Sequence, residues 1–245
     1  MTFLTLQFNA LGLLLATVSG VWLISLKARD ASLIDLFWAA LFALQAAFHL
    51  ALADPSGLRA VAVVVLVTLW AIRLGAHLAR RNLGKGEDRR YAEMRAAGGA
   101  GWALRSLVTV FWLQALLAWV ISWPVALTAS AAGTPGVIGA IGLGVATLGL
   151  LIEALADHQL ARFKADAKNR GRVMDRGLWR YSRHPNYFGD AVLWWGLWIV
   201  SLEVAGPWTV FAPLLMTVLL LRVSGVPLLE GHLPRTRPAY QEYVR

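Results

Sequence analysis

Residues 183 to 190 read Arg-His-Pro-Asn-Tyr-Phe-Gly-Asp, a run whose side chains suit a phosphorylated, hydroxyl-rich ligand. Pro185 has no N–H to lose and fits a first helical turn, so the segment predicts a helix start there. On that helix Asn186 and Asp190 stand four apart on one face, with Tyr187 nearly adjacent to it. Gly189 lets another backbone or a flat ligand come close. Just upstream, Arg176, Arg180 and Arg183 set fixed positive charge beside the free N–H groups of the helix start, and the two together favour a phosphate.

Further ionisable residues fall inside or at the edges of apolar runs, where they are costly and therefore mark site candidates. Asp35 and Trp38 are one turn apart. Arg73 and His77 are four apart, with Trp70 a turn before them. Glu153 and Asp157 are four apart, and Lys164 continues their face if the helix persists. Asp190 shares a face with Trp194. Two carboxylates repel a phosphate, so Glu153 and Asp157 would instead accept from ribose hydroxyls or hold arginines in place; structural ion pairing is the alternative. His49 and His77 read as packing or interface histidines. One cytoplasm-facing polar cavity accounts for the rest.

The elements that must position these groups are membrane helices. The chain is 58% hydrophobic and 15% charged, with a mean hydropathy of +0.58. Seven runs of roughly spanning length stand at about 3–26, 31–53, 58–79, 104–128, 136–157, 186–203 and 207–223. This predicts an all-α, polytopic integral membrane protein with one transmembrane domain over 1–245. Within it, 1–128 would be the substrate side and 136–245 the cofactor half. Basic residues alternate between loops: seven in 80–105, none in "TASAAGTPG", eight in 158–184. That places the N-terminus outside and the C-terminus in the cytoplasm. Topology thus explains the net charge of +9, and nucleic acid is not expected as a partner. "MTFLTLQFNA" lacks the positive region of a secretory signal. With no cysteine, disulfides and thiolate chemistry are excluded.

The third loop predicts a glycine turn and a short amphipathic helix from about Asp88 to Ala97. It reads as an interfacial brace, or as a lid whose cations meet an anionic ligand. In the fifth span Gly136, Ala140 and Gly144 recur every fourth residue, and that face is expected to pack closely on another helix. The "GLG" there has no preceding strand and is not a dinucleotide fingerprint.

"GLWRYSRHPNYFGDAVLWWG", followed by "LLRVSGVPLLE" and "RPAYQEY", resembles the steroid 5α-reductase-like membrane reductases, most closely their uncharacterised bacterial branch. The C14-type sterol reductases share the Arg-His-Pro-Asn-Tyr-x-Gly-Asp motif. The resemblance implies a helical bundle that binds NADPH from the cytoplasmic side and reduces an activated carbon–carbon double bond. It implies cofactor contacts at Asn186, Asp190 and Trp194, and at Arg183, His184 and Tyr187. It extends them to Asp157, Glu153 and Lys164 on the preceding helix and to Arg73 on the third. Arg180, Tyr181, Arg222 and Glu230 are counted with them. The Gln-Glu pair and Tyr that hold a steroid 3-oxo group are missing; Asp35, Trp38 and Trp70 are the nearest counterparts, and Trp38 and Trp70 are the expected substrate contacts.

The expected activity is reduction of a polarised, enone-like double bond in a lipid that enters from the bilayer. A donor at the carbonyl oxygen would stabilise the developing enolate, and the candidates are Asp35 (protonated), Tyr187 and Tyr181. A rival is a methyltransferase of the isoprenylcysteine or phospholipid type using S-adenosylmethionine; Glu230, Tyr240 and Tyr243 resemble its ending. A third reading is a non-enzymatic lipid-binding or transport protein. The expected location is a bacterial inner membrane.

Overall fold

The computed structural model describes residues 1–223, 225 and 226. They form an all-helical, polytopic membrane protein. The helices are α1 (Phe3–Ala28), α2 (Leu33–Ala53), α3 (Leu58–Asn82), α4 (Arg89–Gly98), α5 (Trp102–Ser106), α6 (Leu113–Ile121), α7 (Trp123–Ala129), α8 (Val137–Ala165), α9 (Pro185–Ala205) and α10 (Phe211–Val218). Among the described residues six helical stretches are long and apolar enough to cross a membrane: α1, α2, α3, Arg89–Ile121, α8 and α9. The expected seventh span, Pro207–Val223, is apolar but shorter. It opens with a 3₁₀ turn at Pro207 and closes with a π turn over Leu219–Val223.

The chain divides into two compact units, Met1–Pro135 and Gly136–Arg245. In the first, the expected span at 104–128 is composite. A π turn over Leu107–Trp112 joins α5 to α6, and Pro124 in the first turn of α7 makes the break at Ser122. Toward the end of α2 three fully buried polar side chains meet. Gln45 Nε2 donates to Gln7 Oε1 at 2.8 Å, and His49 Nε2 lies 3.0 Å from the same oxygen. His49 Nδ1 is 2.9 Å from Ser130 Oγ, so the fully buried histidine packs, as expected of it. With no water to compete, such bonds tie α1, α2 and the end of α7 together.

In the second unit α8 and α9 run antiparallel along a seam of small residues. The buried face of α8 is Gly139, Gly142, Ala146 and Gly149. This corrects the face expected at Gly136, Ala140 and Gly144, because a Cβ at Gly144 would touch nothing within 4 Å. Across the seam stand Gly189 and Gly196 of α9. A Cβ on Gly189 would fall 2.5 Å from the Glu153 amide nitrogen, and one on Gly142 2.6 Å from that of Val200.

Glu203, at the far end of α9, caps α8. Its carboxylate accepts from the Gly136 amide at 3.1 Å and from the Gly139 amide at 2.6 Å. It satisfies helix-start N–H groups and opposes the positive end of the dipole. Glu203→Ala should therefore cost about 1–2 kcal/mol, read as a lower thermal midpoint in detergent. Glu203→Gln should keep part of the loss from appearing, and an unchanged midpoint in both variants would remove the cap from the account.

Candidate functional site

In the second unit the α8–α9 seam delivers polar groups to one end. Because Gly189 lies against the Glu153 backbone, the residues one turn further along α8 meet the start of α9. Asn186 Nδ2 donates to Asp157 Oδ1 at 3.1 Å. Glu153, Asp157 and Asp190 are all buried, and Trp194 is fully so. Burial of three carboxyl-bearing residues in an apolar bundle is expensive unless hydrogen bonds or cations answer them. Asn186 Oδ1 is also buried, with no hydrogen-bond partner among the described residues.

The segment before α9 is pinned onto α8. Trp179 Nε1 donates to the Ala156 carbonyl at 3.0 Å, and the Leu178 amide donates to Gln159 Oε1 at 3.0 Å. Trp179, Met174 and Ala156 form a small core with Leu160, Phe163 and Leu178. Gly177 has a positive φ of 60° where a Cβ would strike the Gln159 amide, so this turn requires glycine. The helix begins at Pro185, and His184 stacks on Tyr187 with ring centroids 5.6 Å apart. Arg180 and Arg183 are exposed, and Tyr181 is 85% exposed. Lys164 is exposed too, in a cavity of about 250 Å³ shared with Phe163, Asp166, Asn169 and Arg170. Arg222 is exposed, whereas Glu230, Tyr240 and Tyr243 lie outside the described residues.

The other candidates belong to the first unit. Trp38 meets Phe42 edge-on at 5.0 Å, and Phe42 meets Trp70 at 5.6 Å, making a ladder of rings inward from Asp35. Trp70 is fully buried and Arg73, a turn later, half-buried. Asp35 is held by α4. Tyr91 donates its hydroxyl proton to Asp35 Oδ1 at 2.6 Å, and Arg90 Nη2 pairs with Asp35 Oδ2 at 3.1 Å. Gln114 Nε2 lies 3.4 Å from the Tyr91 oxygen, presented just after the π turn.

Tyr91, Arg90 and Gln114 were not among the residues singled out from the sequence. The available signal is a lone tyrosine in a ten-residue helix whose other large apolar side chain is Met94, but its partner lies 56 residues away.

Two more carboxylates settle α4. The Ala31 amide donates to Glu87 Oε1 at 2.8 Å, and Arg95 pairs with the same carboxylate at 2.8 Å. Burial works to raise the Glu87 pKa, yet the Arg95 hydrogen bond, the Ala31 amide and the Arg95 charge outweigh it and hold it low. Asp88 behaves likewise: burial opposes, and hydrogen bonds from Arg90 side chain and amide win. Asp88 caps the Arg90 amide at 3.0 Å, as the expected helix start implies. Among the described residues no group of three or more His, Cys, Asp or Glu is placed to hold a metal ion.

The chain is similar to an uncharacterized protein of Schizosaccharomyces pombe, 28% identical over 236 residues that cover 82% of this chain and 67% of that one. No solved structure matches it. The family described as a protein of unknown function, DUF1295, matches residues 21–245, and the chain belongs to that family.

Proposed function

We propose that the protein is an NADPH-dependent membrane reductase acting on a polarised carbon–carbon double bond of a lipid. The observation that carries this reading is the start of α9. There Asn186 bonds Asp157 while its own carbonyl oxygen stays buried and unanswered. A buried acceptor without a donor costs about 1–3 kcal/mol, which a ligand N–H or hydroxyl would relieve. The residues present fit a dinucleotide: Asp157, Asp190 and Glu153 suit ribose hydroxyls, and the exposed Arg180 and Arg183 suit phosphates. The family's place in the steroid 5α-reductase-like superfamily supports the same assignment.

When bound, NADPH supplies the hydride. This chain's residues do the rest. Asn186 and Asp157 fix the polar part of the cofactor, and the seam behind them excludes water. In the closed arrangement Tyr91 donates its hydroxyl proton to Asp35; a substrate carbonyl oxygen that replaces Asp35 as the acceptor would take that proton as the enolate forms. In that arrangement Asp35 accepts from two donors, orienting Tyr91 and balancing Arg90.

The experiment compares NADPH and S-adenosylmethionine on detergent-purified protein, by energy transfer from tryptophan to nicotinamide and by calorimetry. NADPH should bind saturably, with affinity at least tenfold weaker in Asn186→Ala. Binding of S-adenosylmethionine alone overturns the reading in favour of methyl transfer.

A further inference from the structure

We propose that α4 is a hinged lid over the start of α2, latched by Tyr91 and Arg90 on Asp35, whose opening admits the oxygen-bearing head of a lipid. The lid rests on the first unit alone and does not require NADPH to be the cofactor.

Three observations carry it. The first is the hinges. Gly84 and Gly86 precede α4 with φ of +79° and +78°, and Gly99 follows it at +53°; a Cβ on any of them would meet nothing within 4 Å. These are positions that turn freely at both ends of one ten-residue helix.

The second is how little apolar surface holds the helix down. Of the ten residues of α4, all described, only Tyr91 is buried. A segment with few buried apolar contacts sits at the low end of local stability and opens without global unfolding.

The third is that its attachments are polar and converge on Asp35 in the first turn of α2 and on the two residues just before that helix. Tyr91 and Arg90 reach Asp35 at 2.6 and 3.1 Å, the Asp88 amide reaches Ser32 Oγ at 3.3 Å, and Glu87 takes the Ala31 amide at 2.8 Å. Asp35 has only 21% of its side chain exposed, so the latch covers a carboxylate that would otherwise face a ligand.

What the lid covers has the character of an entrance. Asp35 can accept a hydroxyl proton, and Gln114 can donate to a carbonyl or hydroxyl oxygen. Beyond Asp35, half-buried Trp38 offers an apolar ring to a hydrocarbon body, while Phe42 and Trp70, fully buried and meeting edge to face, are packed core that backs it. A lipid carrying a hydroxyl or carbonyl would exchange its own hydrogen bonds for those that Tyr91 makes in the closed form.

The natural absence of cysteine makes the test direct. Ser32→Cys places one thiol beneath the lid, where the native residue is 6% exposed; Ser122→Cys places one at a fully buried site away from it. Each is reacted with a water-soluble maleimide. Combining Ser32→Cys with Tyr91→Phe or Arg90→Gln should speed its labelling at least tenfold and leave Ser122→Cys slow. Equal rates with and without the latch, the control staying slow, would overturn the lid. If a latch variant exposes both thiols, it has unfolded, and hydrogen exchange of the unaltered protein decides. Amides of Arg89–Gly98 exchanging together, at least tenfold faster than those of Leu113–Ile121, support the lid; equal protection rejects it.

Discussion

A valine in place of Gly189 is expected to unfold the second unit or lower its thermal midpoint more than any other substitution named here. The Cβ alone would sit 2.5 Å from the Glu153 nitrogen and 2.8 Å from the Gly149 carbonyl oxygen. Both are backbone atoms, so no side-chain rotation relieves the clash. The helices would have to separate, and separation would carry the cost past Gly149, Gly142 and Gly196, whose own Cβ positions are taken by the opposing helix. Overpacking of a well-fitted interior costs about 1–3 kcal/mol, and a clash repeated along a seam belongs at or above the top of that range. Asn186 and Asp157 are held by the same seam, so ligand binding in the second unit should fall with the fold. Gly144→Ala is the control, since its Cβ meets open space. Thermal unfolding in detergent separates the two. If Gly189→Val melts with the parent protein, close backbone packing is not what joins α8 to α9.

That pair of glycines also shows where reading the sequence stops. Spans are legible because roughly 20 apolar residues in a row have few uses besides crossing hydrocarbon. The helix start at Pro185 and the short helix from about Asp88 are legible for local reasons, a missing N–H and a glycine turn. The packed face of α8 is not local. Gly136, Ala140 and Gly144 repeat every fourth residue, and so nearly do Gly139, Gly142, Ala146 and Gly149. Only the partner chooses between them, because Gly189 and Gly196 open α9 to the second set. The Asn186–Asp157 bond is within reach, since the resemblance implies one ligand for both residues. The Tyr91–Asp35 bond is not, because nothing within either segment points across 56 residues. Gln114 is hidden further by the π turn over Leu107–Trp112, which shifts the facing of the residues after it and defeats any projection made at 3.6 residues per turn.

Removal of one oxygen atom from Tyr91 is the substitution expected to cost most in chemistry while leaving every helix but the unlatched α4 in place. Tyr91→Phe keeps the ring, which is buried, and deletes the group that donates to Asp35 at 2.6 Å. If that hydroxyl gives the proton to the developing enolate, turnover should fall by about 10²-fold or more, the lower end of what a positioned acid contributes. NADPH affinity should stay within about twofold, because the Tyr91 hydroxyl is bonded to Asp35 and is none of the groups assigned to the cofactor. Asp35→Asn should behave differently. An amide still accepts from Tyr91 but no longer balances the Arg90 guanidinium, so orientation suffers and turnover falls by about tenfold. The order of the two losses carries the assignment. A larger loss in Asp35→Asn, with Tyr91→Phe near full turnover, would make the carboxyl the acid and Tyr91 its support. The measurement is single-turnover oxidation of NADPH on a lipid enone, with cofactor affinity determined on the same preparations. Tyr181 offers an internal comparison: at 85% exposure its hydroxyl already faces water, and Tyr181→Phe should leave the chemical step unchanged. A proton donor must hold its proton where solvent does not compete for it, and of these two tyrosines only Tyr91 is buried.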